Sequence, residues 1–217
     1  MSRFLLALTL VSARRMARGR AANADLEAAV RDAYVDKHQV HHGSITVDGE
    51  AVEFLEAGPK DAAKTVIFCH GAAFSMTTWQ HVGVLDALAE RGMRAIALNL
   101  PGYGASSKTI GGWQGKAGFI RRVVEALDLP STLMIVAASM GGSYALPFVM
   151  DPGPYKIAGY VSAAALRSRH NTRPPSVPVL GIYGSEDQPR LAWRASPRKA
   201  RRRRAPRLTD EAAARLA

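Results

Sequence analysis

A chain of 217 residues, 47% hydrophobic, holds one α/β domain, alone or with tails, and enough apolar side chains for a sizeable core. Its single cysteine, Cys69, excludes an intramolecular disulfide, so nothing requires an oxidising compartment. The net charge of +11 divides unevenly: five arginines and no acid lie in 1–24, ten Lys+Arg and two acids in 188–217, and 25–187 is left with −2. The charge belongs to the ends and does not argue for a nucleic-acid-binding core.

Residues 1–24 open with the apolar run Phe4–Val11, too short to span a bilayer, followed by Arg14, Arg15, Arg18 and Arg20. Arginines after the run, without acids, fit an organelle transit peptide better than a secretory signal; a signal anchor and a plain extension are the other readings. A cytoplasmic or organellar setting is expected. Residues 25–42 read as a polar helix and linker. His38, His41 and His42 lie there without a cysteine or carboxylate in a ligand arrangement, so solvated loop histidines are expected and no metal.

Ser44–Glu56 alternates on both sides of Asp48-Gly49, the signature of a hairpin with a two-residue turn. Lys64–Cys69 reads as a buried strand ending in His70-Gly71, with Cys69 in a packing role. Residues 78–91 predict one amphipathic helix through Trp79, Val82, Leu85 and Leu88. A strand follows at 94–100, closed by Pro101-Gly-Tyr-Gly104, then a helix over 113–128. Further strands are expected at 132–138, 157–164 and 177–183, with a helix at 144–150. Strands alternating with helices give a mostly parallel sheet, beside which the antiparallel hairpin fits. Ligands collect at the carboxyl ends of such strands, and His70-Gly71, the 101–106 turn, Ser139 and 184–187 all follow strand ends.

The apolar run Thr132–Ala138 is followed at once by Ser139, Met140 and two glycines, and then by an apolar helix. Strand, small-residue turn with a central serine, and helix make the setting of a nucleophile elbow, in which Ala137 and Gly141 are the small neighbours at minus two and plus two. Alanine departs mildly from the usual glycine at the first position. An ordinary strand-to-helix turn is the other reading of the string, and its partners elsewhere give it weight. Acyl transfer needs a nucleophile, a base, a group orienting the base and donors for the oxyanion. Ser139 supplies the first, and the N–H of Met140 one donor. The second donor is expected from the loop after His70-Gly71, at Ala72 or else Ala73, with Gly71 allowing the turn. His70 is read as structural, fixing that loop. Asp187 follows the last clear strand and is placed to orient a base; a turn acid capping a helix is the alternative, and Glu186 a weaker candidate.

The strings HGAAF with a following TTW, NLPGYGAS, AASMGGSYALPF and IYGSEDQ, in this order, resemble the α/β-hydrolase superfamily. TTWQHVGVLDALAERGMRAIALNLPGYGASS and SYALPF look most like the α/β-hydrolase domain-containing protein 14 family. The resemblance covers about residues 43–187. It implies an α/β-hydrolase fold, Ser139 as nucleophile, Asp187 as triad acid, and hydrolysis or transfer of small acyl groups, lysine deacetylation among them. No organic cofactor is implied. The loop between about 164 and 177 is too short for a helical cap, so an open site for a small acyl substrate is expected.

The family pattern breaks after Asp187. A catalytic histidine should follow, yet the six histidines are 38, 41, 42, 70, 81 and 170. Residues 188–217 form an arginine-rich segment, read as a disordered tail able to make nonspecific polyanion contacts. Three explanations compete: a frameshifted or unspliced segment in place of the last strand and histidine, a genuine hydrolase without its base, or His170 taking that role. A domain without its last strand also leaves a sheet edge unpaired. The alternative function is therefore a catalytically silent scaffold that binds a ligand or a protein partner.

Overall fold

The computed structural model describes residues 40–108, 115–165 and 175–183. Strands β1 (His41–Val47) and β2 (Glu50–Ala57) form the expected hairpin. Its turn residues Asp48 and Gly49 both have positive φ, 53° and 82°. That is the primed geometry whose twist matches the flanking strands. β1 starts at His41, so two of the residues read as linker belong to the strand.

Strands β3 (Thr65–Cys69), β4 (Arg94–Leu98), β5 (Thr132–Ala138), β6 (Lys156–Ala163) and β7 (Val179–Ile182) complete a seven-stranded sheet of order β1-β2-β4-β3-β5-β6-β7. β1 and β2 run antiparallel, β2 pairs antiparallel with β4, and the other pairs are parallel. The chain reverses its direction of travel at β3, which lies between β4 and β5. Crevices at such switch points take ligands.

β3 and β4 are buried at every position because apolar layers cover both faces. The period of two divides β3 between them. Ile67 and Cys69 join one cluster with Phe119, Ile120, Val123 and Phe148. Val66 and Phe68 join the other with Trp79, Val84 and Leu85. Helices α3 (Gly115–Ala126) and α4 (Gly142–Met150) supply the first layer. The second comes from α1 (Thr77–His81) and α2 (Val84–Ala89). The single helix predicted over 78–91 is thus two. Gly83, at φ 71°, is left-handed and ends the first before the second begins. An apolar period runs through the break because both short helices face the same core, which is why periodicity alone did not show it.

One ion pair is buried in the sheet. Arg94 Nε lies 2.5 Å from Glu56 Oε1, with both side chains under 10% exposed. Arg94 also donates to the Lys60 carbonyl. It ties the start of β4 to the end of β2. Arg94→Met leaves the Glu56 carboxylate buried without its partner and is expected to cost about 3–5 kcal/mol. Urea denaturation checks this as a lowered midpoint with an unchanged slope.

Candidate active site

β5 ends in extended backbone at Ala138, and Ser139 then takes φ 44°. Left-handed backbone at a non-glycine costs on the order of 1–3 kcal/mol and persists only where the surroundings enforce it. Ser139–Gly141 form a short 3-10 turn that runs directly into α4, and the Ser143 hydroxyl donates to the Met140 carbonyl (2.7 Å). Ala137 is fully buried and registers with Cys69 of β3. A Cβ on Gly141 would lie 2.6 Å from the Cys69 carbonyl oxygen and 2.8 Å from that of His70. Real Cβ atoms do not approach so closely, so the plus-two position must be glycine. The constraint comes from the neighbouring strand β3.

That packing sets the loop after β3 against the serine. A Cβ on Gly71 would lie 3.4 Å from Ser139 Cβ. Gly71 itself has no positive φ, and a Cβ there would meet Phe74 and Ser139 only at ordinary van der Waals distance, so neither left-handed backbone nor room calls for glycine at this position. His70 is 1% exposed, and both its nitrogens are engaged. The Leu100 N–H donates to Nε2 at 3.1 Å, so Nε2 carries no proton. Nδ1 must then carry it, and donates to the Gly71 carbonyl at 2.8 Å. Burial pulls the His70 pKa down to about 4, against the smaller opposing effect of the Gly71 bond. The ring is therefore neutral and bridges the chain after β3 to the chain after β4.

The Gly71 carbonyl also accepts the Phe74 N–H at 3.1 Å. A trans peptide holds its C=O and N–H antiparallel. Fixing the Gly71 oxygen therefore fixes the direction of the Ala72 N–H, on a residue that is itself exposed. The structure thus brings His70, Gly71, Ala72, Ala137, Ser139, Met140 and Gly141 to the adjacent ends of β3 and β5. Asp187, Glu186 and His170 lie outside the described residues, as do residues 1–39 and 184–217. Among the described residues no group of His, Cys, Asp and Glu could hold a metal ion, and no helix is long and apolar enough to cross a membrane.

Residues 66–217 match the Alpha/beta hydrolase family. The chain belongs to the α/β-hydrolase family. It is 36% identical over 160 residues to the candidate protein-lysine deacylase ABHD14B of Rattus norvegicus, covering 69% of this chain and 75% of that protein. Protein ABHD14A of Mus musculus is 38% identical over 128 residues, 56% of this chain and 51% of that protein, so the chain spans about half its length. A solved structure of a predicted CIB-like hydrolase from Thermoplasma acidophilum shares the fold. Its TM-score is 0.61 at 21% identity, over 68% of this chain and 75% of that one. The resemblance read from the HGAAF, NLPGYGAS and SYALPF strings therefore holds.

In this α/β-hydrolase two features of the site escaped the sequence reading. The first is a polar cluster under the 101–106 turn. Glu53 Oε2 accepts from Asn99 Nδ2 (2.6 Å) and the Ala105 N–H (2.8 Å), and His42 Nε2 lies 2.5 Å from Oε1. Asn99 Oδ1 accepts the Met76 N–H (2.9 Å), and Ser106 Oγ joins the Glu53 N–H to the Asn99 carbonyl. Burial pushes the Glu53 pKa up, but the bonds from Ala105, Asn99 and His42 together hold it below the ordinary carboxylate value. His42 is thus a strand residue with a carboxylate partner, where a solvated loop residue was expected. The hairpin register could have shown this, since Ser44 faces Glu53 and His42 is its diagonal neighbour on the same face. The second feature is Tyr103, whose hydroxyl donates to the Ala72 carbonyl (3.0 Å) and lies 3.5 Å from Met140 Sδ.

Two consequences can be measured. Gly141→Ala forces a methyl into backbone oxygens that cannot yield, and a loss of about 1–3 kcal/mol or more is expected in denaturant unfolding. Gly71→Ala meets only ordinary contacts and should unfold within about 1 kcal/mol of wild type. For His70, the folded pKa near 4 lies below the ordinary 6.5. The unfolded chain therefore binds the proton first, and stability falls as pH drops from about 6.5 through 4, by up to about 3 kcal/mol. His70→Gln keeps a donor and an acceptor without a titrating group, so its unfolding free energy should fall less over the same range.

Proposed function

We propose that this hydrolase acts through Ser139 on small acyl groups held in ester or amide linkage. The observation that carries this reading is the left-handed serine at the end of β5, packed against the His70-Gly71 loop. Ser139 Oγ attacks the acyl carbonyl, and its proton passes to a base. The N–H groups of Met140 and Ala72 take the oxyanion. The leaving group departs with a proton, and water or another acceptor releases the acyl group from the serine. Asp187 is assigned the role of orienting a histidine base. His70 does not supply that base, because both its nitrogens are occupied.

The deacylase name carried by the ABHD14B relative supports an acylated lysine side chain as the substrate class. A serine at the elbow supports acyl chemistry over the epoxide and halide chemistry of relatives that use aspartate there. The arginine-rich, acid-free segment 1–24 supports an organellar or cytoplasmic setting. A second reading is a binding scaffold without turnover, presenting the same strand ends to a ligand or protein partner. It is favoured by residues 188–217, which are arginine-rich and hold no histidine; losing a triad member removes several orders of magnitude of rate.

A fluorophosphonate probe separates the two readings. The full chain is expected to take up one phosphonyl group, seen by intact mass, and Ser139→Ala none. Ser139→Gly should likewise be silent, yet more stable by about 1 kcal/mol, because glycine accepts φ 44° without strain. A folded wild-type chain that takes up no label would decide for the scaffold.

A further inference from the structure

We propose that Tyr103 is a positioning residue for the oxyanion loop, acting by fixing the Ala72–Ala73 peptide. The proposal rests on the roles given above to Ser139, Ala72 and Met140. Ala72 lies between two peptide planes. The first, Gly71–Ala72, is fixed through its carbonyl by His70 Nδ1 and the Phe74 N–H. The second, Ala72–Ala73, has its carbonyl bonded to the Tyr103 hydroxyl at 3.0 Å. With the first plane alone fixed, ψ of Ala72 is free to turn. With both fixed, Ala72 is held in φ and ψ together, and the Ala73 N–H, antiparallel to the Ala72 carbonyl, is aimed as well.

Tyr103 is suited to this by its other contacts. Its ring meets the His70 ring edge-on, 4.6 Å between centroids at 68°. Its oxygen lies 3.5 Å from Met140 Sδ. One side chain therefore touches both loops that carry the proposed donors and the histidine that orients the first of them. Tyr103 is itself held by a turn: its N–H donates to the Leu100 carbonyl (3.0 Å) and its carbonyl accepts the Ser106 N–H (3.0 Å). Below that turn, Glu53 and Asn99 bind Ala105 and Ser106. The fixation thus runs from a charged carboxylate, through the turn, to an amide at the site.

Tyr103→Phe keeps the ring and its contact with His70 and removes only the hydroxyl. Fluorophosphonate labelling of Ser139, with kinact and KI separated, is expected to show kinact lower by about tenfold and KI within about twofold. A residue that merely supported the fold would shift the thermal midpoint and leave that split unmoved. The backbone amide order parameters of Ala72 and Ala73 from NMR relaxation are expected to fall as well. An unchanged kinact, in a protein whose wild type labels at Ser139, overturns the proposal. If neither protein labels, the Ser139 assignment is what has failed. Order parameters then decide the positioning claim: lower values at Ala73 support it, and unchanged values overturn it.

Discussion

Where β5 turns into α4, the backbone of Gly141 runs so close to the Cys69 and His70 carbonyls that no side chain fits between them. The rest of the site follows from that approach. It holds the turn tight enough for Ser139 to stay at φ 44°. It sets the loop after β3 within van der Waals reach of the serine. Because β3 and β5 are adjacent and in register at Cys69 and Ala137, the two loops start from the same height at the sheet's edge. Close-packed interiors transmit such constraints without slack, so a methyl at one glycine is felt at Ser139.

Around this junction the polar groups fix the backbone. His70 is neutral and uses one nitrogen for each neighbouring strand end: Nε2 for Leu100 after β4, Nδ1 for Gly71 after β3. Glu53 plays the corresponding part from β2. It remains charged because bonds from Asn99, Ala105 and His42 outweigh its desolvation. Asn99 faces both ways, donating to Glu53 and accepting from Met76 at the start of the α1 region. A buried polar network that is satisfied in this way specifies one arrangement of its loops, because every alternative leaves a donor or acceptor unpaired. The loops after β3 and β4 are thereby held in one relative position against β2.

Much of this was legible in the sequence because it rests on local chemistry. Asp48-Gly49 announced a primed turn and therefore the hairpin register. Thr132–Ala138 announced a doubly covered strand, and the small residues around Ser139 announced a tight turn. What escaped was of two kinds. Gly83 breaks the predicted 78–91 helix while leaving its apolar period intact, so pattern reading had nothing to register. The Glu53 cluster and the Tyr103 bond join residues 46 and 31 positions apart in sequence. Their types, a strand glutamate and a turn tyrosine, each have an ordinary local explanation. Only the strand order, which sets β2 beside β4 and β4 beside β3, brings them together.

The strained serine also bears on whether the chain turns over substrate or only binds. A scaffold needs a pocket of given shape, and glycine at position 139 would give the same turn with no left-handed penalty. Strain of about 1–3 kcal/mol is a large fraction of a small domain's stability. Here it is combined with a peptide whose amide direction is fixed from both sides and with a glycine that only close approach requires. Each of these features would serve the proposed chemistry, in which a hydroxyl and two amides surround a carbonyl carbon. The geometry at β3 and β5 is therefore what the proposed acyl transfer through Ser139 requires. On the proposed reading the component left to identify is the base that takes the Ser139 proton, because both nitrogens of His70 are engaged.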